Sequence, residues 1–187
     1  MKIFSLIDKF IMKAEEFILS FSVIIISIMI IGNVIAREVF NSSAFYFNLE
    51  VSNIAITIAT FMGIAYAGRK GRHISMSAFY DFAPFKVRKV MIVFIHLVTA
   101  IILFALAYFS FTYTQSELDK GTVTPALQIP QYLVVMFVPL GFALGGIQFL
   151  RNMWINLRVK EKVYLGIDAE DYNDKEKSEL DQEITNL

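Results

Sequence analysis

The sequence predicts an all-α integral membrane protein: a four-helix bundle with both termini in the cytoplasm and a short interfacial amphipathic helix between spans two and three. Hydrophobic residues make up 56% of the 187 residues and charged residues 18%, whereas soluble domains average about 25% charged. Four apolar stretches approach or reach the roughly 20 helical residues that cross a bilayer. The basic residues fall almost entirely on one side of these stretches.

The four predicted spans cover residues 17–36, 51–68, 90–114 and 131–150. The first, second and fourth contain no charged residue, and in the third only the His96 side chain can carry a charge near neutral pH. The second span is the shortest and least apolar, but its Asn, Thr and Ser side chains are uncharged and can bond to backbone or to partner helices.

The first span is predicted to be an uncleaved helix rather than a signal peptide. A signal peptide has a basic start, an apolar core of 7–15 residues and a small-residue cleavage site. Here Glu15 and Glu16 precede a run of full spanning length, and the run ends without an A-x-A pattern.

The distribution of Lys and Arg predicts the orientation. Fifteen of these 17 residues lie before span one, between spans two and three, or after span four, while Arg37 and Lys120 stand alone in the other two loops. Because Lys and Arg in short loops stay in the cytoplasm, loops 37–50 and 115–130 are predicted to face outward. The formal net charge is zero, so no basic excess points to nucleic acid as a partner.

The segment between spans two and three is predicted to contain the interfacial helix. Met76, Phe79, Tyr80 and Phe82 have roughly helical spacing and are flanked by basic residues, a pattern typical of a helix lying in the membrane surface. Pro84 would end or kink it. The alternative is a basic loop with a few anchoring aromatic residues.

The domain organisation follows from the charge. Residues 1–162 are predicted to form the membrane domain and residues 163–187 an acidic cytoplasmic tail. From Asp168 onward the tail has eight acidic and two basic residues and no periodic apolar face, which indicates disorder.

Small and polar residues of the spans are candidates for helix packing or for a partner interface. Small residues at four-residue steps let helix backbones approach closely in lipid, and hydroxyl and amide groups bond across helices. The candidates are Asn53, Ala55, Thr57, Ala59, Thr60, Gly63, Ala67, Gly141 and Gly145.

Charged residues at the span ends form two further candidate sets. On the predicted outer side they are polar contacts within the chain or with a partner: Arg37, Glu38 and Glu50. On the predicted cytoplasmic side they are anchors for anionic headgroups: Arg69, Lys70, Arg72, Lys86, Arg88 and Lys89. The run from Arg69 to His73 could instead grip phosphate.

The sequence argues against an enzyme. It contains no P-loop, zinc-protease or nucleophile-elbow motif, and the absence of cysteine excludes thiolate metal sites. No cofactor is expected in this chain. His96 is expected to make one interhelical hydrogen bond rather than to relay protons. Two alternatives are a membrane anchor subunit of an oxidoreductase and a small homo-oligomeric channel. A haem-bearing anchor needs a pair of His residues within the bilayer, and only His96 lies inside a span. A channel needs a polar stripe repeated through several spans, and only span two has one.

Three groups of segments resemble a known family. They are Arg37–Asn41 with Asn48–Ser52, Phe61–Ala67 running into Arg69–Ile74, and Thr124–Pro130 with Val138–Gly141. In their order and placement they resemble the small (Q-type, DctQ-like) membrane subunit of tripartite ATP-independent periplasmic (TRAP) transporters, over roughly residues 10–155.

The resemblance implies a function that composition does not show. It implies a multi-pass subunit of the bacterial inner membrane that braces a large M-type subunit, which would hold the substrate and sodium sites. A periplasmic solute-binding protein would deliver an organic acid such as a dicarboxylate or sialic acid. Membrane lipids complete the expected partners.

Overall fold

The computed structural model describes residues 2–40, 47–70, 84–159, 163–166 and 169–170. Within them the chain forms five helices and one short antiparallel hairpin. The helices are α1 (Lys2–Phe40), α2 (Phe47–Arg69), α3 (Phe85–Lys120), α4 (Gln131–Val135) and α5 (Phe137–Arg158), and the strands are β1 (Tyr164–Gly166) and β2 (Ala169–Glu170).

Within the described ranges, four helical segments are long and apolar enough to cross a membrane: residues 11–39, 47–69, 85–120 and 131–158. Each contains one of the four predicted spans, which confirms their number and place. The helices extend beyond the apolar runs because Lys, Arg, Gln and Glu are good helix formers outside the hydrocarbon. At about 1.5 Å per residue, α3 is about 54 Å long, well over the bilayer core of about 30 Å.

The fourth span is interrupted once, at Met136 between α4 and α5. Pro139 explains the position of this break. Proline has no N–H to donate to the carbonyl four residues earlier, and its ring collides with that carbonyl, which here belongs to Val135. The chain continues across the interruption through a bond from the Met136 N–H to the Tyr132 carbonyl oxygen, at 2.9 Å.

The chain divides into two compact units, which are described separately. The first comprises Met1–Tyr66 and Ala105–Leu144, and the second comprises Ala67–Phe104 and Gly145–Leu187. In the first unit α2 and α5 meet at very close range. A Cβ atom built on Gly141 would lie 2.7 Å from the Phe61 Cβ and would overlap the Phe61 carbonyl group, and the rings of Phe61 and Phe142 stand edge to face at 5.1 Å.

The second unit folds the chain after α5 back onto α3. Val163 is fully buried against Ile92, with Phe85 and Val93 packed around them. Val163 leads directly into the hairpin of β1 and β2. The boundary at residue 163 between the membrane domain and the acidic tail stays a prediction. The residues beyond Glu170 lie outside the described part of the chain.

The predicted interfacial helix also lies outside the described residues, because its apolar positions fall within residues 71–83. Its existence and the cytoplasmic position of both termini stay predictions.

Candidate partner-binding sites

Glu50, in the first turn of α2, holds the loop between α3 and α4. Its Oε2 accepts a hydrogen bond from the Ala126 N–H at 2.7 Å, and both carboxylate oxygens lie 3.2–3.3 Å from the Leu127 nitrogen. The Thr124 side chain also bonds to this carboxylate. A half-buried carboxylate that accepts backbone N–H groups forms a charge-assisted contact, the stronger class of hydrogen bond. Glu50 thus clamps a segment more than 70 residues away in sequence.

The clamped loop is also closed by its own bonds. The Thr124 N–H donates to the Ile129 carbonyl at 2.8 Å, and the Ile129 N–H donates to the Thr124 hydroxyl oxygen at 3.0 Å. Gln128 turns the chain with a φ of 56°, in the left-handed region that non-glycine residues adopt rarely. The loop therefore holds a defined shape instead of a random one.

An open cleft of about 460 Å³ lies beside the clamp, lined by Leu49, Glu50, Asn53, Pro125 and Ala126. Leu49, Asn53, Pro125 and Ala126 are exposed. The cleft thus presents apolar and amide groups next to the Glu50 carboxylate, which is already hydrogen-bonded to the loop.

The other predicted periplasmic-side contacts are more superficial. Arg37 and Glu38 form an ion pair at 3.4 Å with both side chains largely exposed, an arrangement that adds little stability. Glu117, which the sequence analysis missed, is buried near the end of α3 and accepts bonds from the Thr122 hydroxyl at 2.6 Å and the Lys120 ammonium at 3.1 Å. Glu117 and Lys120 are opposite charges three residues apart, and this spacing on a helix indicates a side-chain pair from sequence alone.

The buried face of α2 differs from the predicted small-residue stripe. Of the four stripe residues Ala55 is buried, whereas Ala59, Gly63 and Ala67 are half-buried. The buried positions follow the true helical period instead: Asn48, Ser52, Ala55, Met62, Ala65, Gly68 and Arg69. Steps of four residues advance 400° around a helix of 3.6 residues per turn, so the stripe drifts about 40° per step away from the core.

The polar candidates of α2 do not bond across helices in the first unit's described contacts. Asn53 and Thr60 are exposed, and the Thr57 hydroxyl donates to the Asn53 carbonyl of its own helix at 2.8 Å. Such back-bonding to the residue four positions earlier is common for threonine in helices. A partner contact at Asn53 and Thr60 stays a prediction.

The glycines differ in how closely other elements approach them. A Cβ built on Gly63 would lie 3.4 Å from a methyl carbon of Leu19, an ordinary contact, whereas one built on Gly141 would overlap the backbone of Phe61. Gly145 is buried. Two glycines outside the predicted candidates are also closely approached, but by side chains: a Cβ on Gly68 would lie 3.0 Å from the Phe149 ring, and one on Gly146 would lie 3.0 Å from the Phe104 ring.

The predicted headgroup anchors fall into different environments. Arg69 is only 1% exposed and Arg88 only 7%, and both have interaction partners, so these two guanidinium groups are covered by protein and not presented to headgroups. The Lys89 ammonium donates to the Val159 carbonyl just beyond the end of α5, where a cation complements the helix dipole. Lys70 is half-buried, Lys86 is exposed, and Arg72 lies outside the described residues.

A buried polar network occupies the second unit. The Asn152 amide donates to the Gly68 carbonyl at 2.9 Å. Asn156 both donates to the Tyr164 carbonyl, at 2.7 Å, and accepts from the Tyr164 N–H, at 2.9 Å. The network fixes the end of α2 and the start of β1 to α5, since a buried amide left without partners is costly.

His96 is fully buried in this unit, with its ring 5.7 Å from the Phe149 ring. Its Nδ1 lies 2.8 Å from the Ile92 carbonyl oxygen one turn earlier in α3, a contact within its own helix. The expected interhelical hydrogen bond of His96 stays a prediction. Among the described residues, His, Asp and Glu form no group of three that could hold a metal ion.

Comparisons with known proteins agree with this architecture. Residues 26–159 match the family model "Tripartite ATP-independent periplasmic transporters, DctQ component". The chain is 41% identical over 171 residues to the ectoine TRAP transporter small permease protein TeaB of Halomonas elongata, covering 91% of this chain and 88% of that protein.

These matches decide between the functions weighed above. They exclude the oxidoreductase anchor and the homo-oligomeric channel as the best interpretation, and the tripartite system implies a large M-type subunit and a periplasmic binding protein. Ectoine is not a dicarboxylate or sialic acid, so the predicted substrate class is not confirmed. The chain belongs to the DctQ family and is a small permease subunit of a TRAP transporter, a multi-pass protein of the inner membrane.

Proposed function

We propose that this subunit is a fixed brace for the large M-type subunit during sodium-coupled, binding-protein-dependent uptake. The observation that carries the proposal is the exposure of α1. Its best 18-residue window is strongly apolar, with a mean hydropathy of 2.6, yet only 6% of it is buried within the chain, against 33% for the fourth span. A helix so little used in internal packing is free to pack against a partner.

The exposed surface of α1 is continuous. Ile24, Ile28, Ile31 and Ile35 follow one another at steps of four, three and four residues and are all at least half exposed, so they share one helix face. An apolar groove of about 390 Å³ lies in the same unit, between α1, α2 and Phe137. Lipid would also satisfy such a face, and the family supplies the reason to prefer the M-type subunit as its occupant.

Site-specific photo-crosslinking tests the brace. A benzophenone side chain replaces Ile28 or Ile31, and the control replaces Phe109, an exposed residue of α3. With the complex assembled in membranes, we expect the α1 positions to crosslink to the M-type subunit and the control position to crosslink to lipid. Crosslinks to the M-type subunit from Phe109 and none from α1 would refute the proposed surface.

The orientation proposal places both termini in the cytoplasm and loops 37–50 and 115–130 in the periplasm. It rests on the distribution of Lys and Arg. Because the chain has no cysteine, single cysteines report topology without background. Gln128→Cys should react with a membrane-impermeant maleimide in intact cells, and Ser178→Cys should react only after lysis. The reverse pattern would invert the topology. The proposed 1–162 membrane domain and interfacial helix belong to the same picture.

We also propose that the Glu50-clamped loop contacts the periplasmic solute-binding protein. Its support is the preformed shape of the loop and the exposed rim of Leu49, Pro125 and Ala126 beside it. Pro125→Asp, which adds a charge to the rim, should weaken binding of the solute-binding protein to the reconstituted complex, whereas Gln115→Asp, at an exposed position of α3 just outside the predicted span, should not. Equal affinities for both variants would argue against this contact.

The substrate proposal keeps the organic acid class, such as a dicarboxylate or sialic acid, and places ectoine beside it because of the relative named above. The residues that choose between them are expected on the M-type subunit and the solute-binding protein, which also leaves sodium coupling to the M-type subunit. The solute-binding protein of the same tripartite system can be screened by ligand-induced thermal stabilisation. Stabilisation by ectoine alone would discard the organic acid class.

A further inference from the structure

Aromatic and basic side chains gather at the end of α5 in the second unit, where the brace role does not use them. Trp154 is the single tryptophan of the chain and is 55% exposed. The guanidinium of Arg158, one turn further along, lies 5.0 Å from the centre of its ring, a cation–π distance. An exposed indole with a stacked guanidinium is a pairing suited to a membrane–water boundary, where tryptophan concentrates.

The start of α3 is brought to the same place. Lys89 reaches the Val159 carbonyl, directly after Arg158, and its ammonium lies 5.6 Å from the centre of the Phe85 ring. The neighbouring Lys86 is exposed, as is Arg158. Because the Lys89 ammonium serves the end of α5, the charges presented outward by this surface are those of Lys86 and Arg158.

Exposed apolar residues flank these charges. Val90 on α3 and Leu157 on α5 are both more than half exposed. A surface that combines apolar side chains with two cations at one end of spanning helices matches a molecule with an acyl part and an anionic head. Long basic side chains suit this role because their stems lie in apolar surroundings while their charges reach the headgroup level.

We propose that this surface, formed by Lys86 on α3 and by Trp154 and Arg158 on α5, binds an anionic phospholipid. Lys86 and Arg158 contact the headgroup phosphate, and the indole and the Phe85 ring lie beside the glycerol and upper acyl chain. The site is a defined lipid contact, narrower than the general positive-inside anchoring predicted from sequence, and it uses an arginine and a tryptophan that the sequence analysis did not select. It goes beyond the brace function and does not depend on transport.

The test measures lipid retention by native mass spectrometry of the complex released from micelles. Phosphatidylglycerol and phosphatidylcholine of equal chain length are titrated against the wild type and Lys86→Gln/Arg158→Gln. The matched control is Arg37→Gln/Lys120→Gln. It removes two exposed basic charges in the last turns of α1 and α3, outside the proposed surface. Each basic residue near an anionic lipid surface strengthens binding roughly fivefold. We therefore expect the first variant to bind phosphatidylglycerol about 25-fold more weakly than the wild type, and the control to match the wild type.

A second measurement keeps the proposal testable if that variant fails to assemble. Trp154 fluorescence in the full-length wild-type chain should be quenched by brominated phosphatidylglycerol more strongly than by brominated phosphatidylcholine, and the difference should shrink at high salt. Equal quenching by the two lipids, or equal loss of retention in the two variants, would overturn the proposal. If phosphatidylglycerol were retained only after residues 168–187 had been deleted, the acidic tail would be the occupant of this surface, and the lipid proposal would equally be overturned.

Discussion

Replacing Gly141 with alanine should disrupt the close contact between α2 and α5 in the first unit. Three glycines of the spans form a graded series. A Cβ on Gly141 would lie 2.7 Å from the Phe61 Cβ and closer to its carbonyl group, one on Gly63 would meet only the Leu19 side chain at 3.4 Å, and one on Gly32 would meet nothing within 4 Å. The obstacle at Gly141 is helix backbone, which cannot move aside as a side-chain tip can.

The magnitudes follow from two opposing terms. Overpacking destabilises a protein by about 1–3 kcal/mol. Because the obstacle at Gly141 is backbone, we expect Gly141→Ala at the upper end of this range, about 3 kcal/mol. Alanine favours a helix over glycine by about 1 kcal/mol. The net change is then a destabilisation of about 2 kcal/mol for Gly141→Ala, and a stabilisation of up to about 1 kcal/mol for Gly32→Ala and Gly63→Ala.

The assay is thermal unfolding of the detergent-solubilised complex, followed by size-exclusion chromatography after heating. A loss of about 2 kcal/mol corresponds to a Tm lower by about 4–8 °C for a chain of this length. Gly32→Ala is the control for the helix-propensity term and should leave Tm unchanged or slightly higher. If Gly141→Ala matched Gly32→Ala within about 1 °C, the close approach of α2 and α5 would be refuted.

Two further predictions concern hydrogen bonds. Glu50→Gln should raise hydrogen exchange of the two clamped loop amides about three- to tenfold, because a neutral acceptor replaces a charged one; Glu38→Gln, which removes only an exposed ion pair, should not, and equal exchange in both variants would contradict the clamp. Asn156→Leu should destabilise the second unit by about 2–4 kcal/mol, because the backbone groups of Tyr164 lose their amide partner; proteolysis between α5 and β1 should accelerate, and an unchanged cleavage rate would contradict this role.

The sequence was sufficient for the four spans. Three of the predicted spans each lie inside one observed helix, and the fourth runs from α4 across Met136 into α5. The sequence locates them because spanning ability depends on the length of an apolar run, which is a local property. The helix ends were predicted less well. α3 begins at Phe85 and ends at Lys120, several residues outside the apolar run, because polar residues continue a helix once it has started.

Packing within the units was less predictable. The small-residue stripe of α2 was selected on spacing, but a four-residue step does not follow one helix face, so most of the stripe turned away from the buried side. The sequence also contains more glycines than one contact needs, and nothing in it distinguishes Gly141, against backbone, from Gly63, against a flexible leucine.

Charged residues were the least predictable of all. Arg69, Arg88 and Lys86 are alike in sequence as basic residues beside apolar runs, yet the first two are buried and the third is exposed. Burial of an arginine depends on which partners surround it, and those partners come from distant parts of the chain. The same reason hid the role of Glu50, whose amide partners follow it by more than 70 residues.

The sequence by itself determined that the chain has four apolar helices able to cross a membrane, and its motifs identified the family. Those properties are set by composition, by run length and by short ordered segments, none of which requires a folded chain. Only the tertiary structure decided which charges are buried, which glycine admits another backbone, and that Glu50 clamps a distant loop. These depend on the approach of residues far apart in sequence, because burial and hydrogen bonding are properties of pairs brought together by folding.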